Sequence, residues 1–81
     1  MELEKSTLED TAVVAYLALR GHRFKPVKKY DGRIAFEVEG DIAHSLQEIY
    51  DNKPCPILDY IKSLKTVRGA IFSLKQAGGR Q

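Results

Sequence analysis

Seven large apolar residues, Ile57, Tyr60, Ile61, Leu64, Val67, Ile71 and Leu74, recur at three- and four-residue steps. That is the period of one helix face. Pro56 suits the first turn of such a helix, where its missing amide costs nothing. The spacing predicts a helix from Pro56 or Ile57 to the region of Leu74, about 27 Å long at the standard rise. In a chain of 81 residues a rod of that length fixes the plan. Every other element is short, and its apolar side must meet this one face. A chain of this size holds one domain and one core. That argues against a two-domain enzyme or a complete dinucleotide-binding sheet. The domain is read as residues 1–77, with Gly78-Gly79 stopping the helix and residues 78–81 forming a flexible tail.

Upstream, Ser6-Thr7-Leu8-Glu9 fits a capping box, in which hydroxyl and carboxylate satisfy free amides reciprocally. Leu8, Ala12, Ala15, Tyr16 and Leu19 then give one apolar helix face, and Arg20-Gly21 signals the end. Asp31-Gly32 is the dipeptide favoured in two-residue type I′ hairpin turns. After it Ile34, Phe36 and Val38 alternate with Ala35, Glu37 and Glu39, as a half-buried strand does. A two-residue loop sets Val27 opposite Phe36. Phe24 and Val27 then share a face only through a bulge near Pro26, a residue suited to an edge strand. Gly40-Asp41 closes the strand and caps a short helix with the stripe Ile42, Leu46, Ile49 and Tyr50. The expected fold class is α+β: an N-terminal helix, an antiparallel β-hairpin, and two C-terminal helices packed on the sheet. Two strands alone are marginal in water. Helix cover is therefore expected, with Glu2 to Lys5 as a candidate third strand and an edge-paired dimer as the other solution.

Hydrophobic residues make up 43% and charged residues 30%, a globular rather than a disordered mix. The one cysteine, Cys55, cannot form an internal disulfide. The acidic start lacks a signal-peptide core. The longest mostly apolar stretch, Thr11 to Leu19, is about half a membrane span. These features point to a cytoplasmic protein with no membrane contact. The net charge of +2 conceals alternating blocks. Arg20, Arg23, Lys25, Lys28, Lys29 and Arg33 face a single acid, Asp31, within residues 20–33; residues 60–81 hold Lys62, Lys65, Arg68, Lys75 and Arg80 and no acid. Acids dominate residues 1–19 and 34–59.

The plainer reading of these blocks is self-complementarity, with Lys25 pairing diagonally to Glu37 or Glu39 for little energy. The functional reading is a phosphate-facing surface. Its candidate residues are Arg20, Arg23, Lys25, Lys28, Lys29, Arg33, Lys62 and Lys65, with His22 and Tyr30 near by. His22, His44 and Cys55 lack zinc-site spacing, so no metal or cofactor is expected. Cys55 between two prolines has no neighbouring base, and Glu37 and Glu39 lack the burial that acid–base pairs need. No catalytic residue is expected. Leu58 and Phe72 lie off the main stripe of the last helix; packing over the hairpin is their plainer role, and a protein interface the other.

Certain features recur together: Ser6-Thr7-Leu8 opening a helix with Ala12 and Tyr16-Leu17; Arg20-Gly21-His22; Gly32-Arg33 and Phe36 in the hairpin; Tyr50 in a short helix; Leu64-Lys65-Thr66-Val67-Arg68 in the last. In this order they resemble a small prokaryotic and phage domain family of unknown function, over residues 6 to about 74. The resemblance implies an α+β layout and a prokaryotic or phage source, and no reaction. The expectation is a non-enzymatic binding or adaptor domain that contacts another protein or a second copy of itself. The alternative is a nucleic-acid-binding accessory protein using the hairpin bases and the last helix.

Overall fold

The computed structural model describes residues 4–79. Six elements follow in order: β1 (Lys5–Leu8), α1 (Thr11–Leu19), β2 (Phe24–Lys28), β3 (Ile34–Glu39), α2 (Ala43–Tyr50) and α3 (Ile57–Gly79). The strands form one antiparallel sheet of order β1-β3-β2. The class is α+β with helix cover, as expected, but a strand precedes the first helix.

That strand overturns the capping box. Ser6, Thr7 and Leu8 pair with Val38, Glu37 and Phe36 of β3. Asp10 caps α1 instead, its carboxylate accepting the amides of Ala12 and Val13 at 3.0 and 3.3 Å. The third strand therefore falls on Lys5–Leu8, later than the Glu2–Lys5 candidate, of which Glu2 and Leu3 lie outside the described residues. The stop at Arg20-Gly21 is as read. Gly21 takes a left-handed φ of 98°, its amide donates to the Ala18 carbonyl, and the His22 amide donates to that of Leu17. This is the Schellman pattern that satisfies the last free carbonyls.

The hairpin also differs. A type I′ turn needs positive φ at both central residues, but among the described residues Asn52 is the only non-glycine with one. Instead the Gly32 amide donates to the Lys29 carbonyl at 2.9 Å, and the Lys29 amide to that of Arg33 at 2.7 Å. Tyr30, Asp31 and Gly32 form a three-residue loop, with Gly32 at φ 91°. The extra residue moves the register by one. Val27 pairs with Ala35 rather than Phe36, Pro26 with Phe36, and Phe24 with Val38. A slip of one exchanges faces. Phe24 thus turns inward without a bulge, its ring edge-on to Phe36 at 5.8 Å. Pro26 lies in an edge strand, as its missing donor requires.

Helices α1 and α3 pack together on the inner face of the sheet. Val14, Leu17, Phe36, Val38 and Val67 are fully buried. Four consecutive residues of α1, Val14 to Leu17, are buried. The single apolar face read for α1 is therefore too narrow, because sheet, α2 and α3 enclose the helix. Tyr60 Oη donates to the Ala12 carbonyl at 2.9 Å and Ser63 Oγ to that of Ala15 at 2.7 Å, tying α3 to α1. Helix α3 runs through Gly78 to Gly79, two residues beyond the glycine stop read from the sequence; Arg80 and Gln81 lie outside the described residues.

Gly69 lies in the interior of α3 with φ in the ordinary range, and a Cβ there would meet nothing within 4 Å. Glycine costs a helix interior about 0.5–1 kcal/mol against alanine. Gly69→Ala is therefore expected to raise Tm by a few degrees. An unchanged or lowered Tm in thermal denaturation contradicts the open space around Cα69.

Candidate docking surface

The predicted stripe of α3 divides in two. Tyr60, Leu64, Val67, Ile71 and Leu74 turn toward the core, whereas Ile57 and Ile61 are exposed. The two off-stripe residues are exposed as well, Leu58 by 60% and Phe72 by 64%. Their reading as packing over the hairpin is thereby corrected. Successive helix residues advance about 100°. Ile57, Leu58, Ile61 and Phe72 therefore share a broad outward face with Lys65 and Arg68. Lys62 and Lys75 border it.

Tyr50, expected in the α2 stripe, is exposed at the end of α2. An open cleft of about 330 Å³ lies between α1 and the α2–α3 turn, lined by Val13, Tyr16, Ile49, Cys55, Ile57 and Tyr60 among others. Ile57 belongs to both cleft and outward face, so the two are continuous. Cys55 is half-buried in that lining. The neutral phenol of Tyr60, in the lining of the cleft, is favoured by burial and then by the nearby Asp10 charge, which push its pKa up.

The basic residues are dispersed. Arg20 Nε lies 3.2 Å from Glu48 Oε1 at the end of α1. Lys29 Nζ lies 2.7 Å from Glu9, and Arg33 contacts both Glu9 and Asp31. The Lys29 hydrogen bond and then the Arg33 charge hold the Glu9 carboxyl below its usual range. Lys25 stands directly opposite Glu37 in the register, and Arg23 flanks Glu39, whose amide donates to the Arg23 carbonyl. These pairs lie on the open face of the sheet, the face opposite Phe36. Lys28 is exposed at the end of β2. Lys62 and Lys65 are exposed on the outward side of α3, away from the open sheet face that carries Lys25. The structure thus brings Lys29 and Arg33 together around Glu9 and keeps the α3 bases apart from them. Tyr30 is fully exposed at the hairpin tip.

A buried carboxylate escaped the sequence reading. Glu48 of α2 is only 6% exposed. It accepts a 2.6 Å hydrogen bond from Tyr16 Oη and a 2.9 Å bond from Lys53 Nζ. Arg20 Nε and His44 Nε2 stand 3.2 and 3.4 Å away. Asn52 takes a positive φ of 56°, and the Lys53 amide donates to the Glu48 carbonyl. That turn folds the lysine back over the carboxylate. The Tyr16 bond, then the Lys53 bond, lower the Glu48 pKa to about 2; the same bond and burial raise that of Tyr16. Neither group exchanges a proton near neutral pH, so the cluster ties α2 to α1. Ser45 sits one turn before Glu48, buried, its Oγ 3.2 Å from His22 Nε2. His22 Nδ1 stands 3.0 Å from the Glu39 carbonyl oxygen. The His22 side chain thus bridges β3 and α2, while its amide closes the end of α1.

Among the described residues no group of three or more His, Cys, Asp or Glu side chains is placed to hold a metal ion. No described helix is long and apolar enough to cross a membrane. No family model, curated protein or solved structure matches the chain.

Proposed function

We propose that the chain is a non-enzymatic protein-docking domain whose contact surface is the outward face of α3 with the adjoining cleft. The observation that carries this reading is the exposure of Ile57, Leu58, Ile61 and Phe72 along one side of a single helix. A small domain has few large apolar residues, and fold stability favours burying them. A patch of them rimmed by charge marks a contact site. The cytoplasmic setting and the prokaryotic or phage source belong to the same proposal, the first supported by one free thiol.

A photo-crosslinking amino acid placed at position 72 in producing cells tests the reading. Defined protein adducts are expected, with none from the same probe at position 25 on the open sheet face. Leu58→Asp is expected to remove them without lowering Tm. Nucleic-acid adducts, or adducts unaffected by Leu58→Asp, would overturn the reading.

A further inference from the structure

We infer that the outward face of α3 receives an acidic amphipathic helix of another protein; this rests on the docking reading above. The apolar residues occur in two places, Ile57, Leu58 and Ile61 near the start and Phe72 about four turns on. Between and beside them stand Lys62, Lys65, Arg68 and Lys75. After Asp59 the described part of α3 contains no acid. None of these four bases forms an ion pair among the described residues, whereas Arg20, Lys29 and Arg33 all do. The spacing 58, 61, 65, 68, 72 follows three- and four-residue steps. A partner helix laid along it would place anchors at matching steps. Its flanking positions would meet ammonium and guanidinium groups and so must be Asp or Glu.

Charge also disfavours a second copy of this chain. The antiparallel pairing that sets Leu58 on the second copy's Phe72 sets Lys62 against Arg68 and Lys65 against Lys65. A parallel pairing sets each base against itself. Both arrangements bring like charges together at an interface, which is costly. A nucleic acid would engage the bases but has no need of Ile57, Leu58 and Ile61. Stacking on bases favours aromatic rings, and this face has only Phe72. Gly69 lies on the same side, between Lys65 and Phe72, with no packing that requires it. Its missing side chain leaves the backbone open to close approach.

The test uses the full chain and fluorescent helical peptides of about 16 residues, matching the length of the face. One set carries leucine at three- and four-residue steps with Glu on the flanks; its twin carries Lys in place of Glu. Anisotropy titrations are expected to show the acidic set binding at least about tenfold tighter than the basic twin, an advantage that shrinks on going from about 50 to 300 mM salt. Phe72→Asp and Leu58→Asp are each expected to weaken binding about tenfold or more. The double variant Lys65→Glu/Arg68→Glu is expected to reverse the preference. All four positions are exposed, so an unchanged Tm confirms that folding is not the cause. Equal binding of both sets, or a preference that survives the charge reversal, would overturn the partner chemistry. Concentration-dependent dimers abolished by Phe72→Asp would make the occupant a second copy and also overturn it. If position 72 still crosslinks to protein while the acidic peptides fail, the docking face stands and only the partner assignment falls. If neither occurs, both fall.

Discussion

Phe36→Ala is expected to remove a quarter or more of the folding stability. Phe36 is fully buried at the centre of β3, the middle strand. It pairs across the sheet with Leu8 on one side and Pro26 on the other, and the Phe24 ring meets it edge-on. Val14, Leu17 and Val67 belong to the same cluster. Truncating a buried phenylalanine costs about 3–5 kcal/mol, from lost transfer energy and the cavity left behind. A domain of this length has about 4–12 kcal/mol in all. The substitution removes between a quarter of that and all of it. Phe36→Leu keeps most of the volume and is expected to cost about 1–1.5 kcal/mol. Urea denaturation followed by circular dichroism checks both. A loss below about 1.5 kcal/mol for the alanine variant would mean that the helices do not close on the sheet at this point.

The long helix and the second hairpin strand were legible because each repeats its own period. Seven residues at helical steps, and three alternating with Ala35, Glu37 and Glu39, leave little choice of element. The first strand was not legible. Ser6-Thr7-Leu8-Glu9 satisfies the local chemistry of a helix start, and Asp10 satisfies it as well. What decides is pairing with β3, a contact to residues 28 to 34 positions away. The hairpin turn shows the same limit at finer scale. Asp31-Gly32 serves a two-residue turn or a three-residue loop, and the choice moves Phe24 from the outer face to the core. The candidate surface was half legible. Periodicity marks Ile57 and Ile61 as apolar positions on α3 but not whether the fold covers them, since that depends on how wide a strip α1 and the sheet can reach. Glu48 gave no signal because its partners Tyr16, Arg20 and Lys53 come from two other segments. The one available hint was its place among Ile42, Ser45, Leu46 and Ile49, on the side of α2 that turns inward.

Removing the Glu48 charge is expected to lower Tm by on the order of 10 °C and to flatten the acid limb of stability. In Glu48→Gln the volume is kept, but Tyr16 loses a charged acceptor while Lys53 and Arg20 lose their counterion. Both cations are nearly half exposed and can turn to water. The buried phenol has no such escape, so most of the loss falls on the α1–α2 contact. The pH dependence separates this effect from a packing defect. The Tyr16 and Lys53 hydrogen bonds hold Glu48 at about 2 in the fold, against 4.5 for the free side chain. Between these values the unfolded chain binds the proton and the folded chain does not. Stability therefore rises with pH across that window. The contribution is complete above about pH 4.5 and disappears as pH falls through about 2. Glu9 and Asp31 are shifted the same way, Glu9 by Lys29 and Asp31 first by the Arg33 amide. Their partners are exposed, so salt weakens the ion-pair part of their contribution. Thermal melts from about pH 2 to 6 at high salt should isolate the Glu48 slope. The wild type is expected to lose Tm steeply there and Glu48→Gln much less. At alkaline pH the order reverses for Tyr16, whose raised pKa gives stability that is complete below about 10 and is lost above it. Tyr16→Phe should remove that alkaline limb and, by stripping Glu48 of its principal donor, shorten the acid one. Parallel acid limbs in wild type and Glu48→Gln would show that the carboxylate is not the group whose ionisation joins α2 to α1.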